Sequence, residues 1–260
     1  LLLVMFLLAT TELGTDSWIQ DIIGSALKDP VKGTWFFIYT ASIMFVLRFF
    51  AGPIVHKISP LGLLAICAAM AACGLYWLGH AGTNLAMLFA AATLYGVAKT
   101  FFWPTTLGTV SEQYPRGGAL LLNAIAGVGM ISVGVIGGPA IGTMQDIDLS
   151  RAVQAKAPAV FAKVSAEKAG LFSRYEFIDP SKVAAANLTM DQKDQIEQLT
   201  GQTKQHALAK IAVLPAIMCV CYLILIAYFV SKGGYKAEVL TGHAAEDEKF
   251  TGGLPAGMEG

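Results

Sequence analysis

Three stretches of this chain hold almost nothing that water would solvate. Between Pro60 and Val110 the only Asp, Glu, Lys or Arg is Lys99, and 117–145 and 211–231 hold none at all. A bilayer core about 30 Å thick is crossed by about 20 apolar residues in a helix, and these runs are long enough. Six such segments are predicted, over about 1–23, 33–55, 61–81, 84–110, 117–144 and 206–231. None alternates with period two, so a β-barrel does not fit. Backbone groups in hydrocarbon must then be satisfied within helices. The predicted fold is an all-α integral membrane bundle of six transmembrane helices.

Charge distribution sets the remaining organisation. The chain is 55% hydrophobic and 14% charged, where a soluble domain carries about 25% charged residues. Of 18 basic and 18 acidic side chains, 145–205 holds 8 and 8, and 232–260 holds 3 and 5. That distribution excludes a water-soluble enzyme and a disordered protein. A net charge of zero gives no electrostatic basis for binding nucleic acid. We expect 145–205 to form a long, partly helical external cap before the last helix. Within it, KVSAEKAGL and DQKDQIEQL have helical spacing, with breaks at Asp179-Pro180 and Asn187. The tail 232–260, rich in Gly, is expected to be disordered.

Cys67, Cys73, Cys219 and Cys221 lie in apolar runs with no CxxC and no His at metal spacing. They read as small hydrophobes, and no metal or cofactor is expected. LLLVMFLL at the start has no basic residues before it and no small-residue cleavage site after it, unlike a signal peptide. The expectation is that the chain begins inside a helix and is the C-terminal part of something longer. With that start cytoplasmic, the inner segments carry Lys57, Arg116, Lys232, Lys236 and Lys249, with Arg48 close by, against Lys28 and Lys32 outside. The bias puts both ends in the cytoplasm.

An ionisable residue inside a span costs roughly 2.5–3.5 kcal/mol on insertion scales, so each one needs a reason. Glu12 lies about halfway along the first span, and Asp16 shares its face one turn later. Glu12 is a candidate for solute binding or proton uptake, with a polar helix-packing contact as the alternative. For Asp16 and Gln20 the alternative is simple exposure near the outer face. Trp18 adds an amphipathic aromatic ring to the same span as a candidate solute contact. Lys99, deep in the fourth span, is expected to face a cavity and pair with a carboxylate or a solute oxygen. Trp103, beside Pro104, reads as an aromatic gate or as an aromatic-belt anchor. Asn123 is a weaker polar candidate, and His80 reads as interfacial. Arg48 is expected to fix an inner loop network with Glu112 rather than to touch solute.

Two motifs then resemble a known family. The run RFFAGPIVHKISPLG (48–62) is similar to the loop signature of the major facilitator superfamily, in which Gly52 and Lys57 match and His56 stands where the family carries Asp. RFxxG at a helix end is also similar to fucose-permease-like sugar symporters and to nucleoside permeases. GVIGGPAIG in the fifth span resembles the family's G-x-x-x-G-P-x-x-G motif through Gly134, Gly138, Pro139 and Gly142. Small residues four apart let helices approach, and this packing role alone explains them equally well. SEQYPR, with Glu112, is similar to the family's short cytoplasmic loop.

The resemblance implies that 1–144 holds family helices 7–11, 206–231 the last helix, and the chain one six-helix half-bundle. Its partner is the missing N-terminal six-helix half of the same protein, and solute binds near the bilayer midplane between the halves. The implied function is proton-coupled symport of a small polar solute, a sugar or nucleoside, with H+ as coupling ion and no catalytic residues. The first span, polar and broken at Gly14, resembles the family's substrate-facing seventh helix. Arg48, Gly52, His56, Lys57 and Glu112 would form the cytoplasmic gate loop. The implied location is the plasma (bacterial inner) membrane. The alternatives are an exporter of drug-like solutes and a non-transporting receptor or scaffold. An intramembrane enzyme is disfavoured, since no HExxH, GxSxG or paired-Asp motif occurs in a span.

Overall fold

A backbone removed from water has to bond to itself, and the charge-free runs do so as helices. A computed structural model describes residues 2–50, 58–170 and 173–238. Helix α1 (Leu2–Ala26) is followed by α2 (Pro30–Phe49), α3 (Pro60–His80) and α4 (Leu85–Gln113). Helix α5 runs in three parts, Gly118–Ile131, a π turn Ser132–Gly137, and Gly138–Lys156. The cap adds α6 (Pro158–Val164), strands β1 (Ser165–Ala169) and β2 (Arg174–Ile178), and α7 (Pro180–Ala185). It continues into α8 (Met190–Ile211), and α9 (Val213–Ser231) completes the bundle. Six helical stretches are long and apolar enough to cross a membrane.

Local chemistry sets most helix starts. Asp29 accepts from the amides of Val31 and Lys32 with Pro30 at the first turn, and Ser59-Pro60 does the same for α3. Asn84 caps α4, and Thr189 with Gln192 forms a capping box on α8. Pro104 has no amide hydrogen for the carbonyl of Thr100, and α4 is interrupted there, at Thr100 and Phe101.

Helices α1, α3 and α4 are the most buried of the six stretches. Helix α2 buries only Gly33, Phe36 and Thr40, one stripe at helical spacing. Its outer face, with Phe45 and Phe49, and the outer faces of α5 and α9, with Leu120 and Ile224, expose large apolar side chains. Such faces suit a hydrocarbon solvent. Where helices cross, glycines bring backbones together. A Cβ on Gly33 would fall 2.1 Å from the Gln20 carbonyl oxygen and 2.8 Å from the Gly24 amide nitrogen. Gly33→Ala should therefore push α2 off α1 and lower stability by about 1–3 kcal/mol, the usual range for overpacking. Thermal unfolding in detergent checks this, and an unchanged midpoint would mean that α2 can shift freely.

The cap differs from its expected form. It has its own core of Val153, Val160, Phe161, Val164, Ile178, Leu188, Ile196 and Leu199. Residues 165–169, expected to be helical, instead form β1 paired antiparallel with β2, from Ser165 opposite Ile178 to Ala169 opposite Arg174. The helix-forming residues of β1 yield to their partner: in RYEFI the aromatics face inward and the charges outward, the alternation of a half-buried strand. Helix α5 continues past 144 into the cap, and the last helical stretch begins at Met190 rather than at 206. The cap is tied to the bundle by Lys204 to Asp21 (2.6 Å), Lys210 to Asp148 (2.6 Å) and Gln205 to the carbonyls of Leu78 (3.0 Å) and Gly82 (2.9 Å).

At the opposite end the start of the supposedly disordered tail is bonded. Tyr235 donates to the Glu112 carboxylate (2.7 Å), Gln113 donates to the Lys236 carbonyl (2.8 Å), and the Glu238 amide donates to the Glu112 carbonyl (2.9 Å). Burial, with the Glu112 hydrogen bond, pushes the Tyr235 phenol up to about 12, so it remains a donor at neutral pH. Residues 239–260 lie outside the described residues.

Candidate functional site

The polar residues of α1 sit on a helix that is not uniformly α. Thr10–Gly14 forms a π turn between two α segments. Such turns insert a residue, rotate the side chains beyond them and are frequent at functional sites. Helix α5 has its own π turn opposite. A Cβ on Gly137 would lie 2.6 Å from the Thr10 side chain, and one on Gly14 would lie 3.2 Å from Ile141.

Around this point α1, α2 and α4 converge on a charged cluster. The Lys99 ammonium, fully buried, donates to both oxygens of Asp16 at 2.6 and 2.7 Å and to the Thr40 hydroxyl at 3.5 Å. It also lies 5.5 Å over the Tyr95 ring. Tyr95, one turn before Lys99, donates its own hydroxyl to the Thr11 carbonyl at 2.8 Å, inside the π turn. Glu12, 2% exposed, faces Arg48 at 3.9 Å through one carboxylate oxygen. Its other oxygen has no partner, nor do the buried hydroxyls of Thr10 and Thr15. The Arg48 side chain is 46% exposed. Two acids thus face two bases inside an apolar bundle, one pair closed and the other loose.

That arrangement suits proton or solute exchange at Glu12. A buried polar atom without a partner forfeits about 1–3 kcal/mol, so a hydroxyl or proton delivered there gains what the protein leaves unmade. The tight Lys99–Asp16 pair has no comparable vacancy.

Not every expected residue reaches this cluster. Arg48 faces Glu12 and not Glu112, which holds Tyr235 instead. The reason is position: Arg48 is on the last turn of α2, beside α1, while Glu112 ends α4 next to the tail. Asn123 is exposed on α5. Gln20 is exposed and donates to Thr34 at 2.7 Å. Trp103 packs where α1 meets α5, its ring 3.1 Å from where a Gly129 Cβ would sit, and its indole nitrogen is buried without a partner. Gly52, His56 and Lys57 lie outside the described residues.

The glycine motif of α5 is used differently from its spacing. Gly142 faces Trp18 at 3.1 Å from a Cβ position, but Gly134 has nothing within 4 Å, and Gly138 meets only Val133 of its own turn. The contacts belong to Gly129, Gly137 and Gly142. The π turn ahead of Pro139 moves the contact face off the four-residue repeat, and the Gly138 amide bonds to Val133, five residues back. Pro139, near the start of the last α segment, therefore leaves the helix continuous rather than broken.

Tyr95, Thr40, Thr10 and Thr15 carry no charge to mark them in the sequence. Tyr95 was accessible in principle, lying four residues before Lys99 on the same face. Thr40 had no such signal. Among the described residues no group of three or more His, Cys, Asp or Glu converges as metal ligands. Comparison of the chain with protein-family models, curated proteins and solved structures finds no match.

Proposed function

We propose that this chain is one six-helix half of a facilitator-type secondary transporter that moves a small polar solute, a sugar or nucleoside, by proton-coupled symport. The observation that carries the reading is the charged cluster. Lys99 and Glu12 are buried inside an apolar bundle with Asp16 mostly so, where such groups are costly and mark solute or proton pathways. A second six-helix bundle of the same protein completes the solute site, which lies against α1. Both ends of this half face the cytoplasm across the plasma (bacterial inner) membrane, in keeping with the Lys and Arg bias of the short loops.

In the mechanism the Lys99–Asp16 pair pins α1 to α4 through the cycle, while the Glu12–Arg48 contact opens and closes. A proton on Glu12 removes the charge that holds Arg48, frees α2 to move relative to α1, and leaves a neutral acid that can hydrogen-bond the solute. The bundles then rock about the central site, and release of the proton on the other side resets the contact.

Uptake by proteoliposomes of labelled sugars and nucleosides, with and without an inward proton gradient, tests this reading. Accumulation against a gradient only when protons move inward is the expected result. Exchange without accumulation would replace symport by antiport. No flux for any solute would leave the folded cap as the feature to explain, and with it the receptor or scaffold reading.

A further inference from the structure

Outside the charged cluster, five elements line a cleft of about 330 Å³ beneath the cap hairpin. Its size falls in the ~300–1,000 Å³ range of small-molecule sites. Trp18 reaches it from α1, Gln145 and Asp146 from α5, Lys168 from β1, Tyr175 from β2 and Lys204 from α8. Gly142, also in its wall, lets the Trp18 ring approach α5 one turn from Gln145.

Gln145 is the unexplained member. It is 4% exposed, and neither its amide oxygen nor its amide nitrogen has a partner. A buried carboxamide with donor and acceptor both unused is a cost to the fold, and buried polar groups are rarely left so. The charges beside it are already matched. Asp146 receives Lys168 at 3.1 Å and the Tyr175 hydroxyl at 2.8 Å, and Lys204 donates to Asp21 at 2.6 Å. The hydrogen bond to Asp146 holds the Lys168 ammonium above its ordinary value, and burial does the same for the Tyr175 phenol, so both remain donors at neutral pH. A charged ligand would have to break one of these pairs, whereas a neutral ligand would not.

We propose that this cleft docks a small, neutral, polyhydroxylated solute of monosaccharide size. Gln145 engages adjacent hydroxyls, one as donor and one as acceptor, and the Trp18 ring covers the apolar face of the sugar. The site stands apart from the buried cluster; its role as the first stop of a transported solute rests on the transport reading. The comparable cleft between α1, α2 and α8, lined by Ser17, Gln20, Asp21, Lys28 and Glu197, carries no such signal. Its polar side chains already have partners.

Calorimetric titration of the purified full chain in detergent with D-glucose, D-galactose and L-fucose tests the site. At least one should bind saturably. Gln145→Leu should weaken that binding about tenfold or more without lowering the thermal unfolding midpoint, since it removes an unpaired polar group. Trp18→Phe should weaken it several-fold. A purely structural Gln145 would instead show a lower midpoint and unchanged binding. No saturable binding of any of the three sugars, or binding indifferent to both substitutions, overturns the site. If proton-driven uptake persists in that case, the site alone is lost. Gln145-dependent binding in a protein with no flux would instead remove the transport reading and keep the site.

Discussion

Lys99→Met is expected to cost the folded bundle about 3–5 kcal/mol, the usual penalty for removing one partner of a buried ion pair. Asp16 would be left among apolar helices with the charge that Lys99 now matches at 2.6 Å, and Thr40 and Tyr95 offer no second cation. The informative comparison is the double variant Lys99→Met with Asp16→Leu. Replacing both charges by apolar groups of similar volume is often neutral or stabilising, so the double variant should recover most of the loss. Thermal unfolding and monodispersity in detergent report the result. A double variant as unstable as the single one would show that volume at Lys99, and not its charge, holds α4 to α1. If the pair is only structural, the recovered protein should also transport. If it is part of the cycle, it should be stable and inactive.

The second large effect is expected at Glu12. With one proton moved per solute, a one-unit pH gradient supports about tenfold accumulation, since one pH unit and a tenfold concentration ratio are the same free energy. Glu12→Gln keeps the shape and hydrogen-bonding reach of the side chain but cannot exchange the proton. Its accumulation ratio should fall from about ten towards one, while solute exchange at equal pH persists. Stability should change little, because one carboxylate oxygen already lacks a partner and Arg48 lies 3.9 Å away and half in solvent. Gradient-driven accumulation that survives in Glu12→Gln would reduce Glu12 to a packing contact and move the search for the coupling group to Asp16.

Much of the architecture was legible because its causes are local. Hydropathy alone marks six spans, although the second starts at Pro30, where Asp29 caps it, rather than at 33. The β-hairpin was not legible, because SAEKA is composed largely of helix-favouring residues and becomes a strand by pairing with RYEFI. The contact glycines of α5 differ from those that the four-residue spacing predicts, for a related reason. Spacing arguments assume one helical period, and a π turn breaks that assumption without any mark in composition.

The site divides along the same line. That Glu12, Asp16 and Lys99 need partners follows from sequence, since ionisable groups in apolar spans cannot stand alone, and the shared face of Glu12 and Asp16 follows from their four-residue spacing. Which partner each takes does not follow. Lys99 meets Asp16 across 83 residues, Arg48 meets Glu12 instead of Glu112, and Gln145 is left without any. Those outcomes depend on which helices are neighbours and how each is rotated, and that is decided by close approaches such as Gly33 on Gly24 and by two facing π turns. Hydrophobicity specifies that a helix is buried or spans the membrane; only packing specifies its rotation, because the apolar surface that drives burial is nearly the same on every side.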